Sequence, residues 1–284
     1  MNSEMQEIVY TPESPLKDPV KMIKSMWHDL KVSRELAWRL TVRDISAQYR
    51  QSILGVVWAF LPPVVTTAMF VFLNQSKLMN VDSEAVPYPA YVLVGMVFWQ
   101  LFAEALQAPL KIVTAAKGLL VKINFPREAL MLSAVLQTLF SFGIKFLLIV
   151  AIFFWYKLAV PWTVVLLPLA ILALLIFGFV LGVLLVPAGA LFNDITQSLT
   201  LITTFWLFIT PVGYPPGESG IMALLAKYNP VAPLVSTARD WMISGSFTYL
   251  QEFLLITAVS VVVTFIGWIV YRVSLPIIIE RMSA

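Results

Sequence analysis

Long apolar runs separated by short polar stretches dominate this chain. Six of them are long enough to cross a bilayer as helices, at approximately residues 52–73, 88–110, 130–156, 162–187, 195–213 and 250–271, since a spanning helix needs about 20 mostly apolar residues. Ahead of the first run, residues 36–65 read LAWRLTVRDISAQYRQSILGVVWAFLPPVV, an arginine-bearing helical pattern that leads directly into a tryptophan-rich apolar stretch. Trp38, Val42, Ile45 and Tyr49 recur at helical spacing on one face, and Arg39, Arg43 and Arg50 form a stripe one residue further round. Such a helix sinks its apolar face into the acyl boundary while the guanidinium groups reach the headgroups. Further upstream, Asp18 and Pro19 predict an N-cap and first turn. They start a second surface helix with Val20, Ile23, Trp27 and Leu30 on its apolar stripe and Lys21, Lys24 and His28 on polar positions. Residues 214–249 are too polar and proline-broken to span. Their short apolar runs, 221–226 and 231–238, predict two brief helices hinged at Asn229 and Pro230, either dipping back into the membrane or lying at its outer surface.

The pattern therefore predicts an all-α integral membrane fold. Residues 1–51 form a cytoplasmic N-terminus with amphipathic interfacial helices, residues 52–284 a domain of six transmembrane helices, and short periplasmic or re-entrant helices lie between spans five and six. Composition agrees: 60% of residues are hydrophobic, 12% are charged, and the mean hydropathy is +0.86, a balance outside that of soluble domains. Charge then sets orientation. With the N-terminus inside, 14 of the 19 Lys and Arg lie inside: 8 in the N-terminal region, Lys111, Lys117, Lys122 and Arg127 in the second loop, and Arg272 and Arg281 at the end. Lys77, Lys157, Lys227 and Arg239 fall outside and Lys145 within a span, so the positive-inside rule predicts two cytoplasmic termini. The first apolar run follows many charges and no small-residue cleavage pattern, which argues against a cleaved secretory signal. The basic residues thus have a topological explanation and do not indicate nucleic acid.

Several chemistries are excluded. There is no cysteine and a single histidine, His28, so a thiolate or histidine metal centre is not expected. No G-x-x-x-x-G-K-[ST] loop occurs, and no glycines form a dinucleotide fingerprint. The outer acidic residues Asp82, Glu84 and Glu218 sit in linker-like loops and do not suggest glycosyl chemistry, so no catalytic residue is assigned. Glu104 and Lys145 fall within spans, where each costs about 2.5 to 3.5 kcal/mol at a helix centre and must face protein or water. Counted from the flanking Lys111 and Lys157 their depths differ, and direct pairing is not expected; Lys145 is either a snorkelling bundle residue or part of a substrate path. Gly178 and Gly182 bring two helix backbones close, more readily within one subunit than between two. Leu54, Trp58, Leu61, Val65 and Phe72 share a face of the first span, and Leu201, Phe205, Phe208 and Val212 share one in the fifth. Such stripes serve packing, or a carbohydrate path in which aromatic faces stack on sugar C–H faces as they do on bases.

Four segments carry a family resemblance: RDISAQYRQSILGVVWAFLPPV at 43–64, LLVKINFPREAL at 119–130, FNDITQSLTLITTFWLFITPVGYP at 192–215 and YNPVAPLVSTARDWMISG at 228–245. In order and spacing the chain resembles the membrane permeases of ABC-2-type exporters, in the branch that moves O-antigen, capsular and teichoic-acid polysaccharides. The resemblance implies a permease homodimer with two copies of a separate ABC ATPase. ATP and Mg would be on that partner and no cofactor on this chain. It makes residues 111–129 the coupling loop, with Lys122, Phe125, Pro126, Arg127 and Glu128 at the ATPase. It places Trp58, Phe72, Phe205, Phe208 and Lys145 along a path for a lipid-linked polysaccharide and sets Arg39, Arg43 and Arg50 against the carrier's anionic pyrophosphate. The setting would be the bacterial inner membrane. One departure is Asn193 before Asp194, where the family often shows Arg-Asp, so that arginine's contact is not carried over. Two other readings are an ABC-2-type exporter of a small hydrophobic compound and a membrane-embedded enzyme of polysaccharide assembly.

Overall fold

The computed structural model describes residues 19–50, 53–78, 86–122, 125–215 and 221–283, and every regular element among them is helical. Asp18, Asp82, Glu84 and Glu218 lie outside the described residues. In chain order the helices are α1 (Pro19–Arg50), α2 (Val57–Gln75), α3 (Tyr88–Ala115), α4 (Lys117–Lys122), α5 (Glu128–Tyr156), α6 (Leu167–Gly189), α7 (Asn193–Ile209), α8 (Ile221–Tyr228), α9 (Val231–Ile243) and α10 (Leu250–Ser283). A 3₁₀ turn, Trp162–Leu166, leads into α6.

Among the described residues, five helices are long and apolar enough to cross a membrane: α2, α3, α5, α6 with its leading turn, and α10. The sixth expected span, α7, has 17 residues, about 25 Å at 1.5 Å per residue. It still runs from the end of the bundle where Leu191 packs beside Ala190 to the end where Val212 meets Gly95. The two surface helices expected before residue 51 are one continuous helix, α1. The junction KVSRELA contains no glycine or proline and several good helix formers, so nothing interrupts the backbone hydrogen bonds.

α3 is the hub. Residues from Ala90 to Val113 are buried on nearly every face, with α2, α5, α6 and α9 around them. The α3–α6 contact is close because α6 carries glycines there. A Cβ on Gly178 would lie 2.7 Å from the Phe102 carbonyl, and one on Gly182 would collide with that of Leu106. The GFVLG spacing thus serves packing within the subunit. Phe102 fills the centre, with ring centroids 5.3 Å from Trp99, 5.8 Å from Phe177 and 5.3 Å from Trp206. Two apolar clusters result. One surrounds α3, α6 and α9; the other gathers Ala37, Ile112, Leu120, Leu130, Tyr271 and Leu275 at the opposite end.

α9 is the better buried of the two short helices, packed on α3, α6 and α10. Its position follows from the backbone break after α7. Pro211 ends that helix and leaves carbonyls without intrahelical partners. Arg239 of α9 donates from Nη1 to the carbonyls of Pro211 (2.9 Å) and Val212 (3.2 Å), and the Tyr88 hydroxyl donates to that of Gly213 (2.7 Å). The buried guanidinium also lies 4.0 Å over the Tyr91 ring, which offsets some of its desolvation. At the α8–α9 hinge, the Asn229 amide accepts from Trp206 Nε1 (2.9 Å) and donates to Thr210 Oγ1 (2.8 Å).

Candidate functional site

Two aromatic stripes expected from periodicity stay exposed, on helices that touch at one ring pair, and make up the candidate flank. On α2, Pro63, Thr67 and Phe70 turn inward, which leaves Trp58, Leu61, Val65 and Phe72 uncovered together with Leu54 just ahead of the helix. On α7, Leu199, Thr203 and Leu207 turn inward and Leu201, Phe205 and Phe208 stay outside. Phe70 and Phe208, with centroids 6.4 Å apart, bring the two helices into contact at one point, while each helix packs mainly on α3. Trp58 is 55% exposed and Phe205 69%, so neither is held by packing within the subunit. Val212 does not join this face. It lies beyond the end of α7 at Ile209 and is fully buried against Gly95.

Threonines keep this flank compatible with an apolar surround. Thr203 and Thr204 donate to the carbonyls of Leu199 and Thr200, each at 2.9 Å, so their hydroxyls are satisfied within the helix. Gln107 Nε2 of α3 donates to Thr203 Oγ1 at 3.3 Å.

Lys145 is elsewhere. It is buried between α5 and α3, where it forms an ion pair with Glu104 and donates to Ser141 Oγ at 3.2 Å. This corrects the expectation that the two charges do not pair. Lys111 lies inside α3, which continues to Ala115, so it does not mark the end from which depth should be counted. The flexible lysine stem bridges the residual offset.

On α1 the side facing protein takes in only the end of the apolar stripe, where Ile45 and Tyr49 are half-buried and the Tyr49 ring lies 6.5 Å from the Phe140 ring of α5. Ser33, Ala37 and Thr41, spaced by four, turn toward the bundle: the hydroxyls of Thr41 and Ser133 on α5 lie 2.9 Å apart, and Gln137 Nε2 donates to Asp44 Oδ2 at 3.1 Å. Trp38 and Val42 face outward. Arg39 and Arg43 are exposed and paired with Glu35 (2.6 Å) and Asp44 (2.7 Å), and Arg50 is exposed at the helix end. Burial, and the negative charge of Glu104, push the Tyr49 phenol above its ordinary value.

The segment after α3 folds against the opposite end of the bundle. Lys122 is exposed, Phe125, Pro126 and Arg127 are half-buried, and Glu128 is buried at the start of α5. Arg272 of α10 donates from Nη1 to Glu128 (2.8 Å), and from Nη2 to Asp29 (2.7 Å) and Ser25 (3.0 Å) of α1. Tyr271 donates to the Arg127 carbonyl at 3.1 Å. In the sequence Arg272 and Arg239 counted only as topology charges, and no periodic signal pointed to their partners. Among the described residues no three His or carboxylate side chains converge as metal ligands.

The profile of the ABC-2 type transporter membrane family matches residues 35–243, most of the chain. This chain belongs to the ABC-2 type transporter family. The chain is also similar to proteins named O-antigen export system permease. One, from Myxococcus xanthus, is 27% identical over 81% of this chain and 88% of its own length. Two from Klebsiella pneumoniae are 26% identical over 74% and 81%, and 24% identical over 80% and 88%, respectively. The family match takes in α2 through α9 and ends at Ile243. It includes the aromatic flank and the segment 117–128 of this ABC-2 transporter subunit, and stops before the α10 residues that bind that segment. The chain is thus a multi-pass membrane transport subunit.

Proposed function

We propose that this chain is the permease of an ATP-driven exporter that moves a lipid-linked polysaccharide outward across the bacterial inner membrane. The observation that carries the reading is the exposure of Trp58 and Phe72 on α2 and of Phe205 and Phe208 on α7, two helices that touch through Phe70 and Phe208, in a chain similar over most of its length to O-antigen export permeases. Aromatic faces give a growing polymer a sequence of weak, equivalent stacking positions, so it binds at every step without being trapped at one. Two copies of the permease facing each other across this flank form the path, and two copies of a separate ABC ATPase bind ATP and Mg. With α7 as a short sixth span, both termini and the segment 117–128 are cytoplasmic, and α8 and α9 lie on the outer side. Lys122, Phe125 and Arg127 touch the ATPase. The carrier's pyrophosphate approaches Arg39, Arg43 and Arg50; at Arg39 and Arg43, exchanging the carboxylate partner for a phosphate keeps the guanidinium paired.

Deletion of the gene tests this reading. Surface polysaccharide should disappear and lipid-linked polymer should accumulate on the cytoplasmic side, and both should reverse when the chain is restored with its ATPase. Normal surface polysaccharide together with sensitivity to small hydrophobic compounds would overturn it in favour of a small-molecule exporter.

A further inference from the structure

Three helices meet at one side chain. Arg272 binds α5 through one nitrogen of its guanidinium and α1 through the other, at 2.8 Å to Glu128 and at 2.7 and 3.0 Å to Asp29 and Ser25. Its neighbour Tyr271 is fully buried and donates to the carbonyl of Arg127. Arg127 and Glu128 close the segment that the proposed function places against the ATPase. From that geometry we infer that Arg272 is a positioning residue: it carries movement of residues 117–128 into the amphipathic helix α1 and into α10.

The chemistry suits a rigid joint. A guanidinium is planar, and its donors hold a fixed fork geometry, so a partner displaced on one nitrogen drags the partner on the other. Both carboxylates are largely shielded, with side-chain exposures of 6% for Glu128 and 26% for Asp29. Charge-assisted bonds in such a setting are short and strong. Further along α1 the helix packs on α5 through a neutral hydroxyl pair, one amide-to-carboxylate bond and the Tyr49–Phe140 ring contact, so among the described residues the guanidinium is the ionic link between the two helices. Ala37, Leu120, Leu275 and Ile278 belong to one apolar cluster at this end of the bundle, in which α4 packs on α10. α2 with its aromatic face follows α1 in the chain, so a shift received at Asp29 has a covalent route to the proposed path.

The inference rests on the reading of 117–128 as the ATPase-contacting segment. Asp29→Asn is the informative variant, because it cuts the α1 arm and leaves the buried Glu128–Arg272 pair intact. In the reconstituted complex we expect normal assembly, melting temperature and ATP hydrolysis, with export per ATP reduced about tenfold and restored by Asp29→Glu. Loss of export in step with ATP hydrolysis and melting temperature, or export per ATP at the wild-type value, would overturn the proposal. A second measurement does not depend on the cargo. Because the chain has no cysteine, spin labels at His28→Cys and Gly118→Cys, both exposed positions with open space for a side chain at Gly118, report the distance from α1 to α4. That distance should be narrow and equal in the nucleotide-free and vanadate-trapped complexes, and broad once Asp29→Asn is added. A wild-type distribution as broad as that of the variant would sink the joint. A wild-type complex that holds the distance yet exports no polysaccharide would support the joint and overturn only the choice of substrate.

Discussion

Trp58 and Phe102 are large aromatics on contacting helices, yet the fold treats them oppositely. Phe102 is fully buried among three other rings, whereas Trp58 is more than half exposed. Truncating Phe102 removes packed atoms and leaves a cavity, which costs about 3 to 5 kcal/mol. Trp58→Ala and Phe205→Ala remove little packing within the subunit. Both variants should keep a near-normal melting temperature in detergent while surface polysaccharide falls sharply; unchanged export would take these residues off the path. Glycine gives a second contrast. A Cβ on Gly182 collides with the Leu106 carbonyl, whereas one on Gly143 meets nothing within 4 Å. Gly182→Ala should therefore destabilise by about 1 to 3 kcal/mol through overpacking and Gly143→Ala should not, a difference that thermal unfolding of the two purified variants reads directly.

At the scale of elements, α7 and α9 depart most from ordinary membrane helices. α7 is short for a span, and its missing length is made up by an irregular stretch, residues 210–213, whose carbonyls are satisfied by Arg239 and Tyr88. Non-helical backbone inside a membrane protein survives only when its polar groups find such partners. If α7 crosses, Lys122 and Tyr228 lie on opposite sides of the membrane. Both side chains are exposed, and in the cysteine-free background an impermeant thiol reagent should label Tyr228→Cys in intact cells and spare Lys122→Cys until the cells are opened. The reverse labelling pattern, or labelling of both in intact cells, would refute six crossings with this orientation.

For the whole molecule, the proposed function requires work done by a separate ATPase to reach the flank. The segment 117–128 is seated on the inner apolar cluster through Leu120 and Phe125 and bonded to α10 through Tyr271, so a push there moves packed helices instead of a free loop. Phe125→Ala with Arg127→Ala should leave the permease inserted and dimeric, while export and substrate-stimulated ATP hydrolysis fall together. Copurification with the ATPase and export at the normal rate would refute the assignment.

What the sequence by itself determined is whatever depends on solvent preference and local backbone chemistry. Apolar runs, the proline breaks, the Asn229–Pro230 hinge, the GFVLG spacing and the two aromatic stripes were all readable, because lipid selects side chains by polarity and helices repeat at 3.6 residues. Periodicity could not show which face of α1 meets protein. Trp38 and Val42 satisfy a lipid boundary as well as a core, and the small stripe Ser33, Ala37 and Thr41 gains its meaning only when α5 lies against it. Long-range charge partners were equally hidden. Lys145 with Glu104, Arg272 with Glu128 and Asp29, and Arg239 with the carbonyls after Pro211 are far apart along the chain. Only the tertiary arrangement decided these pairings, because each requires two helices to place their polar groups at one depth, and depth depends on tilt and overhang that the sequence does not encode locally.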